Sequence, residues 1–345
     1  MSAENPKVTP SEWKQIVSKY QNSEYIKSLW QFTNSFIPFL ATWVLMYYSL
    51  DVSYFLTLLL SLFASGFIMR IFIIQHDCGH GSFFKSRKAN DYLGMVCSIL
   101  TFTPYHYWRK SHAIHHAAVG KLDERGIGDV YTLTVDEYLA RNKWGRLRYR
   151  LYRNPLILFM VIPPVLFLFL YRFPISKLAV MKSLHTTVYL TNVAIALIAG
   201  VIIFFIGLKA FLLIQVPIII ISLCVGTWFF YVQHQFEDTY WKDEKDWDYT
   251  EAALQGSSYY KLPKVLQWFT GNIGFHHIHH LSPRIPNYKL EKCHKENPVF
   301  QASTTLTLRT SLKSMILNLW DERSKRLISF GDLKKLGYFN KMASS

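Results

Sequence analysis

Nine of the 13 histidines in this 345-residue chain fall in three five-residue windows: His76 and His80 in HDCGH, His112, His115 and His116 in HAIHH, and His276, His277, His279 and His280 in HHIHH. Random placement would put fewer than one there. Neutral imidazole is the commonest side-chain metal ligand, and residues at i, i+3 and i+4 of a helix share a face, so each window reads as a two- or three-pronged metal clamp. A single such pair is usually a surface feature. Three clamps carry more imidazoles than one tetrahedral zinc site uses, which makes two metal ions sharing one site the economical reading. In the last window, 276/279/280 and 277/280 both satisfy helical geometry, and four adjacent imidazoles cannot all aim at one point.

The elements that must position these clamps are apolar. The runs 31–50, 54–74, 187–206 and 210–232 are nearly free of charge, and at 1.5 Å per residue about 20 residues cross a hydrocarbon core of roughly 30 Å. The first run follows a mostly polar segment without a small-residue cleavage site, so it is expected to be a retained span rather than a signal peptide. The connections 51–53 and 207–209 carry one basic residue, Lys209, whereas Lys7, Lys14, Lys19 and Lys27 precede the first run and 141–153 holds six basic residues and no acid. The positive-inside rule puts the basic segments in the cytoplasm, with His76 at the cytoplasmic end of the second span and Arg70 snorkelling toward water. Two further apolar stretches, 91–107 and 155–171, would separate the windows if either one spanned. Parity therefore predicts that both are re-entrant or interfacial, the second as a hairpin broken at Pro163 and Pro164, with Arg172, Lys177 and Lys182 on a cytoplasmic return. The expected architecture is an all-α membrane protein with four transmembrane helices and a cytosolic helical cap (75–186 and 233–345) that holds the histidine-rich site. It forms a single domain, 1–345, without internal repeats.

A net charge of +15 raises nucleic acid as a partner, but half the chain is lipid-compatible and no nucleic-acid motif is present. Anionic lipid headgroups and an acidic protein partner fit better. Within 141–153, Trp144, Tyr149 and Tyr152 interleave the basic residues as in a lipid anchor, and the run is also a candidate dock for an acidic electron carrier. Cys78, Cys97, Cys224 and Cys293 lack CxxC spacing and read as reduced structural thiols.

The fourth run ends FFYVQHQFED, placing His234 at the same boundary as His76 and making it a candidate ninth ligand. His106, His185 and His294 have no partner at ligand spacing and are expected to be structural. Glu291 and His294 form a single ExxH, short of the paired motifs of carboxylate-bridged bundle sites. Asp77, Asp129, Glu237 and Asp238 are candidates to accept the far ring N–H of a ligand, although for Asp129 a solvated surface carboxylate is the favoured reading. An all-imidazole site could hold zinc, copper, nickel or iron by affinity. Zinc has no redox chemistry, and a dinuclear centre opening toward lipid tails suits iron that activates oxygen against an unreactive C–H bond.

The three windows, with two membrane runs between the second and third, resemble the three histidine boxes of the membrane fatty acyl desaturases. The resemblance extends through IFIIQHDCGHGSFF, GDVYTLTVDEYL, YRLYRNP, FYVQHQFED and GSSYYKLPKVLQWFTGNIGFHHIHHLSPRIPNYKL, and within the family it points to the bacterial phospholipid Δ5 desaturases. It implies a di-iron centre ligated by His76, His80, His112, His115, His116, His234, His276, His279 and His280, with His277 filling a variable position of the HxxHH pattern. It further implies a multi-pass protein of the cell membrane with its active site on the cytoplasmic side. Oxygen and two electrons would be consumed per double bond, with phospholipid acyl chains as substrate. The chain lacks the HPGG haem-binding signature of a fused cytochrome domain, so a separate donor, ferredoxin or flavodoxin, is expected. Imidazole sites favour zinc over ferrous iron in affinity, so overexpressed protein is expected to carry zinc in place of iron. The rival readings are a sister di-iron hydroxylase, ketolase or epoxidase and, in a different class, a metal or haem transporter. A transporter would line the membrane interior with polar groups, whereas these histidines sit at helix ends and in the cap.

Overall fold

The computed structural model describes residues 10–126, 129–174 and 178–338; Lys7 and Lys177 lie outside them. Helix α1 (Pro10–Ser18) precedes the long hairpin α2 (Tyr25–Ser49) and α3 (Tyr54–His80), which is followed by the shorter pair α4 (Arg87–Leu100) and α5 (Tyr105–Ala118). After β1 (Leu133–Thr134) come α6 (Val135–Ala140), α7 (Lys143–Tyr152), a π-helical turn Ile157–Val161, α8 (Ile162–Leu168) and α9 (Ala179–Lys182). A second long hairpin, α10 (His185–Ile206) and α11 (Leu208–His234), leads into α12 (Tyr249–Gln255), β2 (Tyr259–Lys261), α13 (Lys264–Phe269), α14 (His276–Leu281) and α15 (Asn287–Glu296). Strands β3 (Thr305–Thr307), β4 (Leu319–Asp321) and β5 (Arg326–Ile328) follow. The chain is mostly helical, but two small sheets correct the all-α expectation. β4 lies between parallel β1 and antiparallel β5, and β2 pairs in parallel with β3. These strands pair backbone groups of connecting segments that packing has taken out of water.

Among the described residues, three helices are long and apolar enough to cross a membrane: Tyr54–His80, Val180–Ile206 and Leu208–His234. The expected first span lies within α2, which has the length, but Ser28, Gln31, Thr33, Asn34 and Ser35 dilute its apolar character. Along α10 only Val188 is buried, while Leu190, Val193, Leu197, Val201, Phe204 and Phe205 face outward. A helix apolar all round with so little protein cover needs hydrocarbon as its surroundings. Between the hairpins, Phe36, Phe39, Met46, Ile68, Ile71, Ile74, Ile214 and Ile218 form one core, so α3 is the central post against which α2, α4 and α11 pack.

The stretch 91–107 is a helix, a turn and the start of another helix. At 14 residues, α4 reaches only about 21 Å, short of a span, and the turn at 101–104 sends α5 back toward the end of α3. The Pro163–Pro164 pair does not break its segment. Both prolines follow directly on the π-helical turn Ile157–Val161, and the helical run 155–168 continues through them, the wider turn standing where the regular bonding pattern is interrupted. The 58° bend falls earlier, between Lys143–Tyr152 and Ile157–Arg172. Arg70 also departs from expectation. It is buried, its guanidinium stacks 3.9 Å from the Trp268 ring and donates to Trp268 O and to Asn34 Oδ1 at 3.3 Å, so it meets protein acceptors instead of water. All four cysteines are free and buried.

Candidate metal centre

Helix ends build the site. α3 terminates directly after His80 because Gly81, at φ 69°, adopts the left-handed conformation and donates its N–H back to Asp77 O and Cys78 O. His76 and His80, one turn apart, thus lie together at the end of α3. α5 returns from its turn with His112, His115 and His116 in its last two turns, and α11 ends on His234. α14 is only six residues long, and every one of them is buried. Tyr249 Oη holds its last turn by donating to His280 O at 2.8 Å.

Nine imidazoles converge there and divide into two groups. His76, His80, His112, His116 and His279 each offer a ring nitrogen within 4.8 Å of the others. In this group His279 Nε2 lies 3.0 Å from both His76 Nε2 and His116 Nε2, and His116 Nε2 lies 3.1 Å from His112 Nε2. His115, His234 and His280 form a second group on the same criterion. His276 joins it, with Nε2 3.0 Å from His234 Nε2 and 3.1 Å from His280 Nε2. The groups abut where the His116 and His280 rings stack at 4.1 Å.

These contacts fit a cation better than hydrogen bonds. A neutral imidazole Nε2 carries one proton or one lone pair, so the four nitrogens His76–His279–His116–His112 cannot make three hydrogen bonds in series. Two nitrogens bound to one metal at about 2.1 Å lie about 3.0–3.4 Å apart, the separation seen here. His80 Nε2 is buried with no hydrogen-bond partner, a loss of roughly 1–3 kcal/mol unless something else binds it. Burial first, and neighbouring imidazoles second, hold His112, His115, His116, His276, His279 and His280 well below the usual histidine range, which favours the neutral form that ligates.

The far ring nitrogens orient two members. Asp77 Oδ1 lies 3.2 Å from His76 Nδ1, while its Oδ2 accepts from Asn287 N at 2.7 Å and Asn287 Nδ2 at 2.8 Å, tying α3 to the start of α15. His234 Nδ1 lies 3.1 Å from Gly256 O. With Nδ1 donating, Nε2 keeps its lone pair toward the cluster. Asp77 is thus where its sequence position suggested. Glu237 and Asp238 are not: Glu237 pairs with Lys313 and Arg326, and Asp238 is exposed, because both lie beyond the end of α11, whose helical register no longer sets where they point. Asp129 is no surface carboxylate. It is half-buried, its Oδ1 accepts from Val130 N at 2.6 Å, and it lines a cavity with His76, His112 and His276.

That cavity, of about 420 Å³, runs from the imidazoles between α3, α8 and α11, past Met69, Phe72, Phe230 and Gly226 to Ser222 and Ile218. Its walls are overwhelmingly apolar, as a hydrocarbon ligand requires.

His277 points away from both groups. Its Nε2 lies 3.4 Å from His294 Nδ1, and both rings pack against Tyr259. Burial and then His294 push His277 down to about 3. Of the pair left open by helical spacing, it is His276 whose ring faces the imidazole groups. His106 rests against Tyr105, His185 begins α10, and Glu291 joins Lys264 and Lys295, so none of them reaches the cluster. Sequence reasoning missed Asn287 and Gln75. The latter donates to Thr103 O at 3.1 Å and accepts from Thr101 Oγ1 at 2.6 Å, bracing the cavity turn beside His76. Neither residue has a spacing signal.

A family model described as fatty acid desaturase matches residues 52–310, which include all nine converging imidazoles. The chain belongs to the fatty acid desaturase family. It is 49% identical over 320 residues to the fatty acid desaturase of Bacillus subtilis (strain 168), an alignment covering 93% of this chain and 90% of that protein. It is 29% identical over 234 residues to the sn-1 oleoyl-lipid 12-desaturase of Synechocystis sp., covering 66% of this chain and 64% of that protein. An sn-1 acyl-lipid omega-3 desaturase (ferredoxin) from Synechocystis sp. is 27% identical over 237 residues, covering 64% of this chain and 62% of that protein. As a desaturase this chain is an oxidoreductase of lipid metabolism, and the imidazole groups are its metal-binding feature.

Proposed function

We propose that this desaturase introduces a cis double bond, at Δ5, into the acyl chains of membrane phospholipids, using two iron ions. His76, His80, His112, His116 and His279 hold one ion, and His115, His234, His276 and His280 hold the other. The observation that carries this reading is the division of nine imidazoles into two abutting groups at the mouth of an apolar cavity. When bound, the iron pair supplies the oxidising power: one O2, two electrons, two protons and two hydrogens from adjacent CH2 groups end as two waters and a C=C bond. The chain's own residues hold the acyl segment against the imidazoles and exclude water. The cavity reaches Ile218, 16 residues before His234 on α11, or about 24 Å of helix. That depth suits a long methyl-side tail beyond the reacting carbons, as a double bond near the carboxyl end requires.

The protein is a single domain, 1–345, with α2, α3, α10 and α11 as four spans in the cell membrane and the histidine-bearing ends in a cytosolic cap. The short links at the opposite helix ends and the basic segments on the cap side support this orientation. α7 exposes Trp144, Leu147 and Leu151 on one face beside Lys143 and Arg148, the pattern of a helix lying in an anionic interface. The bent segment after it then re-enters the bilayer without crossing. Electrons come from a separate ferredoxin or flavodoxin; two relatives carry ferredoxin in their names.

Expression in a host without unsaturated fatty acids, followed by location of the double bond in its phospholipids, tests reaction and position together. Cis-5 products are expected. Hydroxylated chains would replace the desaturase reading with that of a sister hydroxylase, and double bonds elsewhere would remove the Δ5 assignment alone.

A further inference from the structure

Arg153 closes the basic run 141–153 in sequence, yet it is 1% exposed. Its Nη1 donates to Thr132 Oγ1 at 3.0 Å and reaches Tyr131 O at 3.5 Å. Its Nη2 donates to Leu317 O at 2.7 Å and Tyr231 Oη at 2.8 Å, and reaches Gln235 Oε1 at 3.4 Å. All five hydrogen-bond acceptors are neutral, Nε has no partner, and the one carboxylate that acts on the guanidinium, Asp129, does so through space and not by a hydrogen bond. A buried cation held by neutral acceptors is an expensive way to fill space, so its geometry should explain why it is there.

The acceptors bracket His234. Tyr231 precedes it by three residues, and Gln235 follows it as the C-cap of α11. Tyr231 Oη in turn donates to Ser314 O at 2.9 Å. The guanidinium fork therefore ties the last turn of α11 to the 131–132 loop and to the C-terminal segment at once, something an ammonium with no planar fork cannot reproduce. His234 is the lone imidazole its helix contributes, so the axial and rotational setting of α11 alone decides whether its Nε2 meets His115, His276 and His280. None of the acceptors lies on α3, α5 or α14, which carry all five members of the other group and His115, His276 and His280 of this one, so among the nine imidazoles the fork bears on His234 alone.

We propose that Arg153 is a positioning residue for the four-imidazole group: it fixes the end of α11 so that His234 completes that site, while the five-imidazole group forms without it. This inference rests on the two-metal reading above, and metal analysis separates the two. Purified wild-type protein should bind about two ions per chain, iron and zinc summed, and His115→Ala about one. A wild-type value near one would sink the two-metal reading itself. With wild type near two, Arg153→Met should fall toward one, with the affinity of the weaker site for iron lowered roughly 10–100-fold in chelator competition. Arg153→Lys should lie between. A folded Arg153→Met protein that keeps both ions at wild-type affinity, or loses both in parallel, overturns the proposal, since a general structural role would not distinguish the groups. Should Arg153→Met fail to fold, Tyr231→Phe decides. It removes one acceptor without opening a large cavity, and it should weaken only one ion, about 3- to 10-fold; equal affinity for both ions as in wild type overturns the proposal.

Discussion

The two imidazole groups are built by different means. The five-membered group draws His76 and His80 from one helix and His112 and His116 from another, each pair four residues apart, and His279 completes it. Helical periodicity alone aims four of its five members. The four-membered group takes only His276 and His280 as such a pair; His115 and His234 arrive singly from α5 and α11. The first group is therefore specified mainly by local structure, and the second by how helix ends are held relative to one another. Local specification tolerates distant change, whereas tertiary specification transmits it.

The largest test of this contrast is deletion of a ligand. On the two-ion reading, His76→Ala and His234→Ala should each lower desaturation by at least about 10³-fold, because the four-electron reduction of O2 to two waters would draw on both ions. The variants should differ in how the remaining ion behaves. After His76→Ala four imidazoles remain in that group and about one and a half to two ions are expected per chain; after His234→Ala three remain and the count should approach one. Fatty-acid profiling and metal analysis of the same preparations read both. An active His234→Ala protein would dissolve the four-membered group as a metal site.

A smaller effect is expected one layer out. Asp77→Asn keeps a side-chain acceptor near Asn287 but removes the charge beside His76 Nδ1, and should weaken the five-membered group's ion roughly 10-fold. Ser257→Ala is the matching change behind His234, where the Ser257 Oγ contact is 3.5 Å and Gly256 O remains at 3.1 Å; less than about a 2-fold change is expected. Chelator competition reads both. Equal losses would mean that the backbone carbonyl does not orient His234.

The same contrast explains what could be read from the sequence. The three windows were legible because their spacing is a local property that survives folding unchanged. His234 was legible only through its place at a span boundary. The division into five and four was not, since it depends on the relative placement of α3, α5, α11 and α14. Proximity along the chain misled for Glu237 and Asp238: three and four residues beyond His234 they have already left the helix, and Glu237 turns to Lys313. Asp129, which no spacing recommended, lines the cavity. Arg153 was hidden by its company, because Arg141, Lys143 and Arg148 in the same run are exposed. The long apolar helices were legible where composition was uniform, as in α10 and α11, and less so in α2, where polar residues, some facing α15, interrupt the apolar pattern and keep it outside the helices apolar enough to span. Gln31 and Asn287, for example, exchange hydrogen bonds at 3.1 Å.

The smallest expected effect belongs to His277, which by spacing is indistinguishable from its neighbours and by geometry belongs to neither group. It is fully buried and turned toward His294 and Tyr259. Removing its ring should leave a void in the packing beneath α14, not a gap in a coordination sphere. His277→Ala should thus keep about two ions per chain and most of its activity, while losing about 1–3 kcal/mol of stability. Thermal unfolding in detergent, run beside metal analysis, separates these outcomes. His279→Ala makes the comparison sharp: two residues along the same helix, it should lose activity and weaken metal binding in the five-membered group. If His277→Ala instead lost an ion as His279→Ala does, α14 would have to present a different face to the cluster. The assignment of His276 and His280 to the four-membered group would then fall with it, because those two rings share the face from which His277 turns away.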